Sequence, residues 1–239
     1  MDKVKEFDKL ILQMSKCDKC LNMKSRNSID CSLINIYKDK EFSKSIPSIW
    51  TDWYNRLDSE IMVIGQDWGP YNDMNKYYKE YIRCKTKENW KKIIEQEKSM
   101  TKRMLTKYLI ESAKNNNIDK TEEILDELYI TNAIMCTRKG DNYRGNNIKL
   151  KESTCNCMEN IKAQIDIVKP KIILTLGYFP LYSLSSIYNF KIDKNLTLTI
   201  KNNGEFNIGE FIIIPLFHPT AQIKKEEQLK QYNKIWKYI

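Results

Sequence analysis

Four short apolar runs, each closed by a polar or turn-forming residue, set the pattern of this chain. Ile61-Met62-Val63-Ile64 runs into Gly65-Gln66-Asp67-Trp68-Gly69-Pro70, and Leu128-Tyr129-Ile130-Thr131-Asn132-Ala133-Ile134 runs into Cys136. Lys171-Ile172-Ile173-Leu174-Thr175-Leu176 stops at Gly177, and Phe211-Ile212-Ile213-Ile214-Pro215-Leu216-Phe217 delivers His218-Pro219-Thr220. Apolar runs without polar alternation predict strands buried on both faces, as in a parallel sheet. Elsewhere the spacing is helical. Val4, Phe7, Leu10 and Ile11 mark an amphipathic helix over Lys3 to Met14. Met104 to Ala113 reads as a buried helix, Glu152 opens one with Ile161, Ile165 and Val168 on one face, and Glu226 to Ile239 closes the chain as another. Ser25 to Asp58 has little periodicity and predicts an irregular segment with a short helix. Asn202-Asn203-Gly204 predicts the turn of a hairpin-like region over Leu196 to Phe206.

In open α/β sheets ligands bind beyond the carboxyl ends of the strands, which makes the residues that close these runs the candidates for chemistry. Gln66 and Asp67 follow the first run, although Gly65 and Gly69 could simply form the turn and Asp67 cap the next element. Asn132 ends the second. An amide there is costly to bury unless satisfied, and is either a core amide or one whose donor and acceptor read a pyrimidine edge. His218 is the single histidine of the chain. A lone histidine is more often structural, yet this one follows a strand end as Asp67 and Asn132 do.

Charge narrows the partners. With 40 Lys and Arg against 31 Asp and Glu the net charge is +9, which suits nucleic acid or another polyanion and equally suits plain solubility. Residues 75–107 are a basic helical insertion in which Tyr77, Tyr78, Tyr81 and Trp90 interleave with lysines, a composition fit for phosphates and unstacked bases or for a solvated helix. Arg138, Lys139 and Arg144 lie in a glycine-bearing basic loop, a form suited to clamping phosphates. No apolar run approaches the roughly 18 residues of a membrane span, and the first residues lack a signal-peptide pattern, so a cytoplasmic protein is expected; a monomer is the accompanying expectation. Seven cysteines are an odd count for a disulfide framework in a reducing compartment. Cys17-x-x-Cys20 could be a metal pair, a redox pair or accidental neighbours. Cys31 reads as a structural thiol.

Taken together and in order, these motifs resemble the uracil-DNA glycosylase superfamily over Cys17 to Thr220. One branch of that family ends its first strand Gly-Gln-Asp, places an asparagine at the end of the second, and carries His-Pro-Ser after the last. Gly65-Gln66-Asp67, Asn132 and His218-Pro219-Thr220 correspond. The iron-sulfur branch adds Cys-x-x-Cys near the N-terminus, Asn-x-x-x-Cys, and a cysteine before Leu-x-x-Gln-Ile. Here these are Cys17 and Cys20, Asn132-x-x-x-Cys136, and Cys157 leading to Ile161, Gln164 and Ile165. Leu176-Gly177 matches another family strand end.

The resemblance implies an α/β fold, a three-layer α/β/α sandwich around a central, mostly parallel four-stranded sheet, with one domain spanning residues 1–239. It implies a monofunctional DNA glycosylase hydrolysing the N-glycosidic bond of a flipped-out pyrimidine, uracil first. Asp67 and His218 would be catalytic, and Gln66, Asn132, Tyr71 and Trp68 would meet the base. Arg138, Lys139, Arg144, Thr220 and Gln222 would meet DNA. Cys17, Cys20, Cys136 and Cys157 would hold a structural [4Fe-4S] cluster, with Cys155 the rival fourth ligand. Trp68-Gly69 departs from the family, so the wall that excludes thymine and the residue that stacks on the base are unassigned. A modified pyrimidine, or a silent binding module on the same fold, are the alternatives.

Overall fold

The computed structural model describes residues 2–24, 30–38, 53–69, 99–138 and 149–239. Tyr71, Lys139, Arg144 and residues 75–98 of the basic insertion lie outside the described residues. The described elements are, in order, α1 (Lys3–Ser15), β1 (Leu33–Ile34), β2 (Ile61–Gly65), α2 (Met100–Asn115), β3 (Leu128–Asn132), β4 (Thr137–Arg138), α3 (Leu150–Val168), β5 (Ile172–Leu176), α4 (Tyr178–Tyr188), α5 (Leu196–Asn202), β6 (Phe206–Asn207), β7 (Ile212–Leu216) and α6 (Lys225–Tyr232).

All four predicted strands form, in one sheet of order β3-β2-β5-β7-β6. β2 pairs parallel with β3 and β5, and β5 pairs parallel with β7. Alternate residues of a strand point to opposite faces, so each buried run feeds two cores. Met62, Ile64, Tyr129, Ile173 and Ile213 pack with Phe7, Leu10 and Ile11 of α1, Ile161 and Ile165 of α3, and Leu181 of α4. Ile61, Val63, Ile130, Leu174 and Ile214 pack on the other face with Leu105 and Leu109 of α2 and with Tyr232 and Trp236 near the C-terminus. Three layers result, as expected. In α1 the core stripe is Phe7, Leu10, Ile11 and Met14, while Val4 faces solvent.

The hairpin expected over residues 196–206 is instead a helix followed by a fifth strand. Leu196-Thr197-Leu198-Thr199-Ile200 alternates like a strand, but Asn195 Oδ1 accepts the Leu198 N–H at 2.9 Å and starts a helical turn. Only Phe206 and Asn207 then pair, antiparallel, with Ile213 and Ile212. This short edge explains Pro215. Ile212 N donates to Lys171 O and Leu216 O accepts from Gly177 N, so the even positions of β7 face β5 and Pro215 faces the outer side. β6 has already ended there, and the missing N–H costs no ladder bond.

A candidate active site at the carboxyl edge of the sheet

Parallel pairing brings the ends of β2, β3 and β7 to one edge, and with them Asp67, Asn132 and His218. Gly65 sits opposite Asn132 in register. The two chains stay zipped past the strands, because Ala133 N donates to Gly65 O at 2.8 Å and Ile134 N to Gln66 O at 2.9 Å. The Asn132 side chain is buried and lies directly over Gly65, where any Cβ would overlap its Oδ1.

Asp67 is anchored by three donors. Oδ1 accepts from the Gly69 N–H at 2.8 Å and from Arg138 Nη2 at 2.9 Å, and Oδ2 accepts from Gln66 Nε2 at 2.9 Å. A carboxylate oxygen has two acceptor positions, so among the described residues Oδ1 is filled and Oδ2 keeps one. The Asp67 side chain is only 4% exposed.

His218 follows the buried end of β7. Its Nδ1 lies 2.9 Å from Thr220 Oγ1 and receives the Thr220 main-chain N–H at 3.4 Å. A peptide N–H can only donate, so this network assigns Nδ1 as acceptor and leaves the proton on Nε2. Burial holds the imidazole pKa below its ordinary 6.5, partly opposed by the charge of Asp67. The ring is therefore neutral at pH 7 and offers one N–H donor. Gln228 Nε2 and Ala221 N donate to His218 O at 3.2 and 2.8 Å and fix its main chain.

Other candidates fall in different places. The Trp68 ring packs inward on Trp53, with centroids 5.7 Å apart. Thr220 and Gln222 are exposed beyond His218, with Ile223 half-buried beside them. Arg138, expected on phosphates, turns onto Asp67. A cavity of about 320 Å³ lies at the opposite, amino edge, lined by Glu60, Lys120, Glu127 and Trp236 among others, and contains none of these residues.

Among the described residues Cys17, Cys20, Cys31, Cys136 and Cys157 gather before β1 and around β4 and α3. Cys20, Cys31 and Cys136 share a small core with Met23, Leu33 and Ile134. Cys157 is buried, Cys17 is half-buried, and all are free thiols. Burial, with Cys157, Cys20 and Cys17 nearby, pushes the Cys136 thiol pKa well up. Burial pushes Cys157 up to about 12, with Cys20 and Cys17 adding to the rise against a main-chain hydrogen bond from Met135. Four thiols are thus near enough to repel one another as thiolates. Among the described residues no three Cys, His, Asp or Glu side chains are close enough to share a single metal ion. A tetrahedral zinc with bonds of about 2.3 Å needs its sulfurs in one tight shell. Iron-sulfur clusters are also held by Cys thiolates, and four cysteine thiols are donors of that chemistry. Cys155 is exposed, its Sγ 3.9 Å from Tyr182 Oη.

A profile of the uracil DNA glycosylase superfamily matches residues 51–239. The chain belongs to that superfamily. Asp67, Asn132, Cys136, Cys157 and His218 lie inside the matched span, and Cys17 and Cys20 precede it. A type-4 uracil-DNA glycosylase of Sulfurisphaera tokodaii is 29% identical over 119 residues, which are 48% of this chain and 50% of that protein. The chain thus spans about half the length of the relative it matches. The superfamily's α/β fold agrees with the sheet and helices described above. No helix among the described residues is long and apolar enough to cross a membrane.

Sequence reasoning found the three strand-end residues from where their runs stop. It missed three supports. Gly65, the seat of Asn132, and Thr220, the partner of Nδ1, lie within Gly65-Gln66-Asp67 and His218-Pro219-Thr220, so the sequence carries a signal for both. Arg138 gave no sequence signal that it turns inward.

Proposed function

We propose that this chain is a monofunctional DNA glycosylase that hydrolyses the N-glycosidic bond of a flipped-out pyrimidine, uracil first. The observation that carries it is the convergence of a pinned carboxylate, a seated amide and a neutral N–H donor at one sheet edge. A base must leave the stack before its glycosidic bond can be reached, which takes a few kcal/mol of unstacking. Asn132 reads the edge of that base. Its amide offers one donor and one acceptor side by side, the complement of a pyrimidine's imide edge.

As the bond breaks, electrons pass to the base and the sugar becomes cation-like. The Nε2–H of His218 donates to the departing base, and a fixed donor of this kind contributes about 3–4 kcal/mol to a transition state where charge develops. Asp67 faces the sugar from the other strand end, with the open acceptor position of Oδ2 orienting the attacking water and its charge favouring the cation. Exposed Thr220 and Gln222, with Ile223, enter the duplex where the base left. Lys139 and Arg144 hold the backbone. Cys17, Cys20, Cys136 and Cys157 would hold a [4Fe-4S] cluster, which supplies a structural tie between the N-terminal segment and the sheet. DNA is the partner, and a monomer in the cytoplasm is the working form.

A 5-substituted pyrimidine is the second reading, and one observation favours it. Trp68 is spent on the Trp53 ring, and Gly69 carries no side chain to exclude a methyl group.

Base release from labelled oligonucleotides carrying uracil, thymine mispairs or 5-substituted cytosines tests both. Asp67→Asn and His218→Ala should each lower uracil excision about 100-fold or more while DNA binding persists. Near-normal turnover in both variants would remove these residues from the reaction, and release from a 5-substituted base alone would favour the second reading.

A further inference from the structure

We propose that Arg138 is a positioning residue for Asp67 rather than a clamp on DNA phosphate. The inference rests on Asp67 acting in base release as proposed above.

The guanidinium is turned in. Arg138 Nη2 lies 2.9 Å from Asp67 Oδ1, and the two side chains are 14% and 4% exposed. Its main chain is fastened from both sides. Arg138 N donates to Gly69 O at 3.2 Å, and the Gly69 N–H in turn donates to Asp67 Oδ1 at 2.8 Å. Across the β1–β4 ladder Arg138 is the register partner of Leu33. Thr137 Oγ1 adds a bond to Ile34 O at 3.4 Å. An arginine on a paired strand, tied to the turn it serves, brings its charge to Asp67.

The consequence concerns which carboxylate oxygen works. An unclamped carboxylate can rotate and offer either oxygen. Here the main-chain N–H of Gly69 and the guanidinium occupy both acceptor positions of Oδ1, so rotation would break two charge-assisted bonds. Oδ2, held among the described residues by Gln66 Nε2 alone, is the oxygen left for water or the cationic sugar. The guanidinium also offsets the charge of a carboxylate that would be costly to keep buried alone. Asp67 is thereby held in one orientation.

The same ladder ties this pair to the thiols. β1 follows the stretch holding Cys20 and Cys31, since Leu33 N donates to Cys20 O at 2.8 Å, and β4 begins immediately after Cys136. Whatever orders the cysteines also orders the strand that presents Arg138.

The test uses full-length Arg138→Met, Arg138→Lys, Asp67→Asn and the Asp67→Asn/Arg138→Met pair. Three quantities are measured: single-turnover uracil release at saturating enzyme, affinity for an oligonucleotide with a stable abasic analogue over a range of salt, and thermal midpoints. Arg138→Met should slow release roughly 10- to 100-fold, with affinity and its salt slope unchanged. Arg138→Lys should recover part of the rate. Added to Asp67→Asn, Arg138→Met should cost little more, because both changes remove one unit. A phosphate clamp would give the opposite: full rate at saturation, weaker binding, and a salt slope shallower by about 0.9. That result, or independent losses in the paired variant, overturns the proposal.

Should Arg138→Met fold poorly, the double variant should fold better, since it no longer buries a lone carboxylate. A midpoint for the pair that equals the sum of the single losses would refute the coupling even if no oligonucleotide lost its base. In that last case, failure of the glycosylase reading and failure of the pairing are told apart.

Discussion

The Asn132 amide occupies the space that a side chain on Gly65 would need. The two residues are register partners across β2 and β3, and a Cβ on Gly65 would overlap Asn132 Oδ1 and lie 3.5 Å from Cγ. Glycine is required here by approach rather than by backbone angle. Gly65→Ala should displace the amide, slow base release about 100-fold and lower stability by about 1–3 kcal/mol through overpacking. Asn132→Ala in the same chain should restore the stability and not the activity. Denaturant melts beside single-turnover rates check both, and a Gly65→Ala enzyme of full activity would mean that Asn132 does not read the base.

His218 allows a direct titration because no other histidine contributes a signal. Burial lowers its pKa in the fold, so the unfolded chain takes up its proton first as pH falls. Stability tied to this ring is therefore complete above about 6.5 and is lost as pH falls through the lower folded value. Imidazole NMR signals should titrate below 6.5 and report Nε2–H at pH 7. Thr220→Val removes the hydroxyl at Nδ1 and should raise that midpoint while slowing excision. A midpoint above 6.5 would make the donor an imidazolium rather than a neutral ring, and the proton on Nδ1 of a neutral ring would remove the donor from the mechanism.

Behind the Asp67 turn stands Trp53, fully buried, its Nε1–H donating to Ile130 O at 2.7 Å. Its ring stacks on Tyr129 and on Tyr37, at 6.0 and 6.3 Å, and meets Trp68. Trp53→Phe removes the donor and leaves a void. It should cost about 1–3 kcal/mol and loosen Trp68, so excision should fall in parallel with the melting midpoint. Loss of activity without loss of stability would point to a direct contact with DNA.

The four parallel strands and the residues that close them were legible because a strand buried on both faces needs an unbroken apolar run, and the run must stop where the ligand edge begins. Asp67, Asn132 and His218 are candidates because they close those runs, and the family resemblance is what suggests their roles. β6 was not legible, since two paired residues leave no period, and the alternation of Leu196 to Ile200 imitates a strand until Asn195 caps it. Arg138 shows why a basic loop is a weak signal. Whether an arginine faces solvent or a carboxylate depends on the ladder to β1, which pairs residues more than 100 positions apart and leaves no local trace. Cys31 had no partner at ligand spacing, yet it packs beside Cys20 and Cys136.

Cys155 and Cys157 can be told apart by the geometry of α3. Residues two apart on a helix of 3.6 residues per turn point about 200° apart, so one of the two faces the other thiols and the other faces away. Cys157 is the buried one and Cys155 the exposed one. Burial resists the thiolate form at Cys157 and at Cys20, so the proposed cluster would have to supply the positive charge that keeps them ionised. Cys157→Ser should abolish the broad visible absorbance of anaerobically purified protein, cut iron content and lower the melting midpoint. Cys155→Ser should leave all three unchanged. Chelation of iron should reproduce the first result in the parent chain, with the apo protein less stable and more readily cleaved before β1. Full absorbance in Cys157→Ser with loss in Cys155→Ser would mean that α3 is turned from the position described, and equal iron in both variants would leave the four thiols without a cluster.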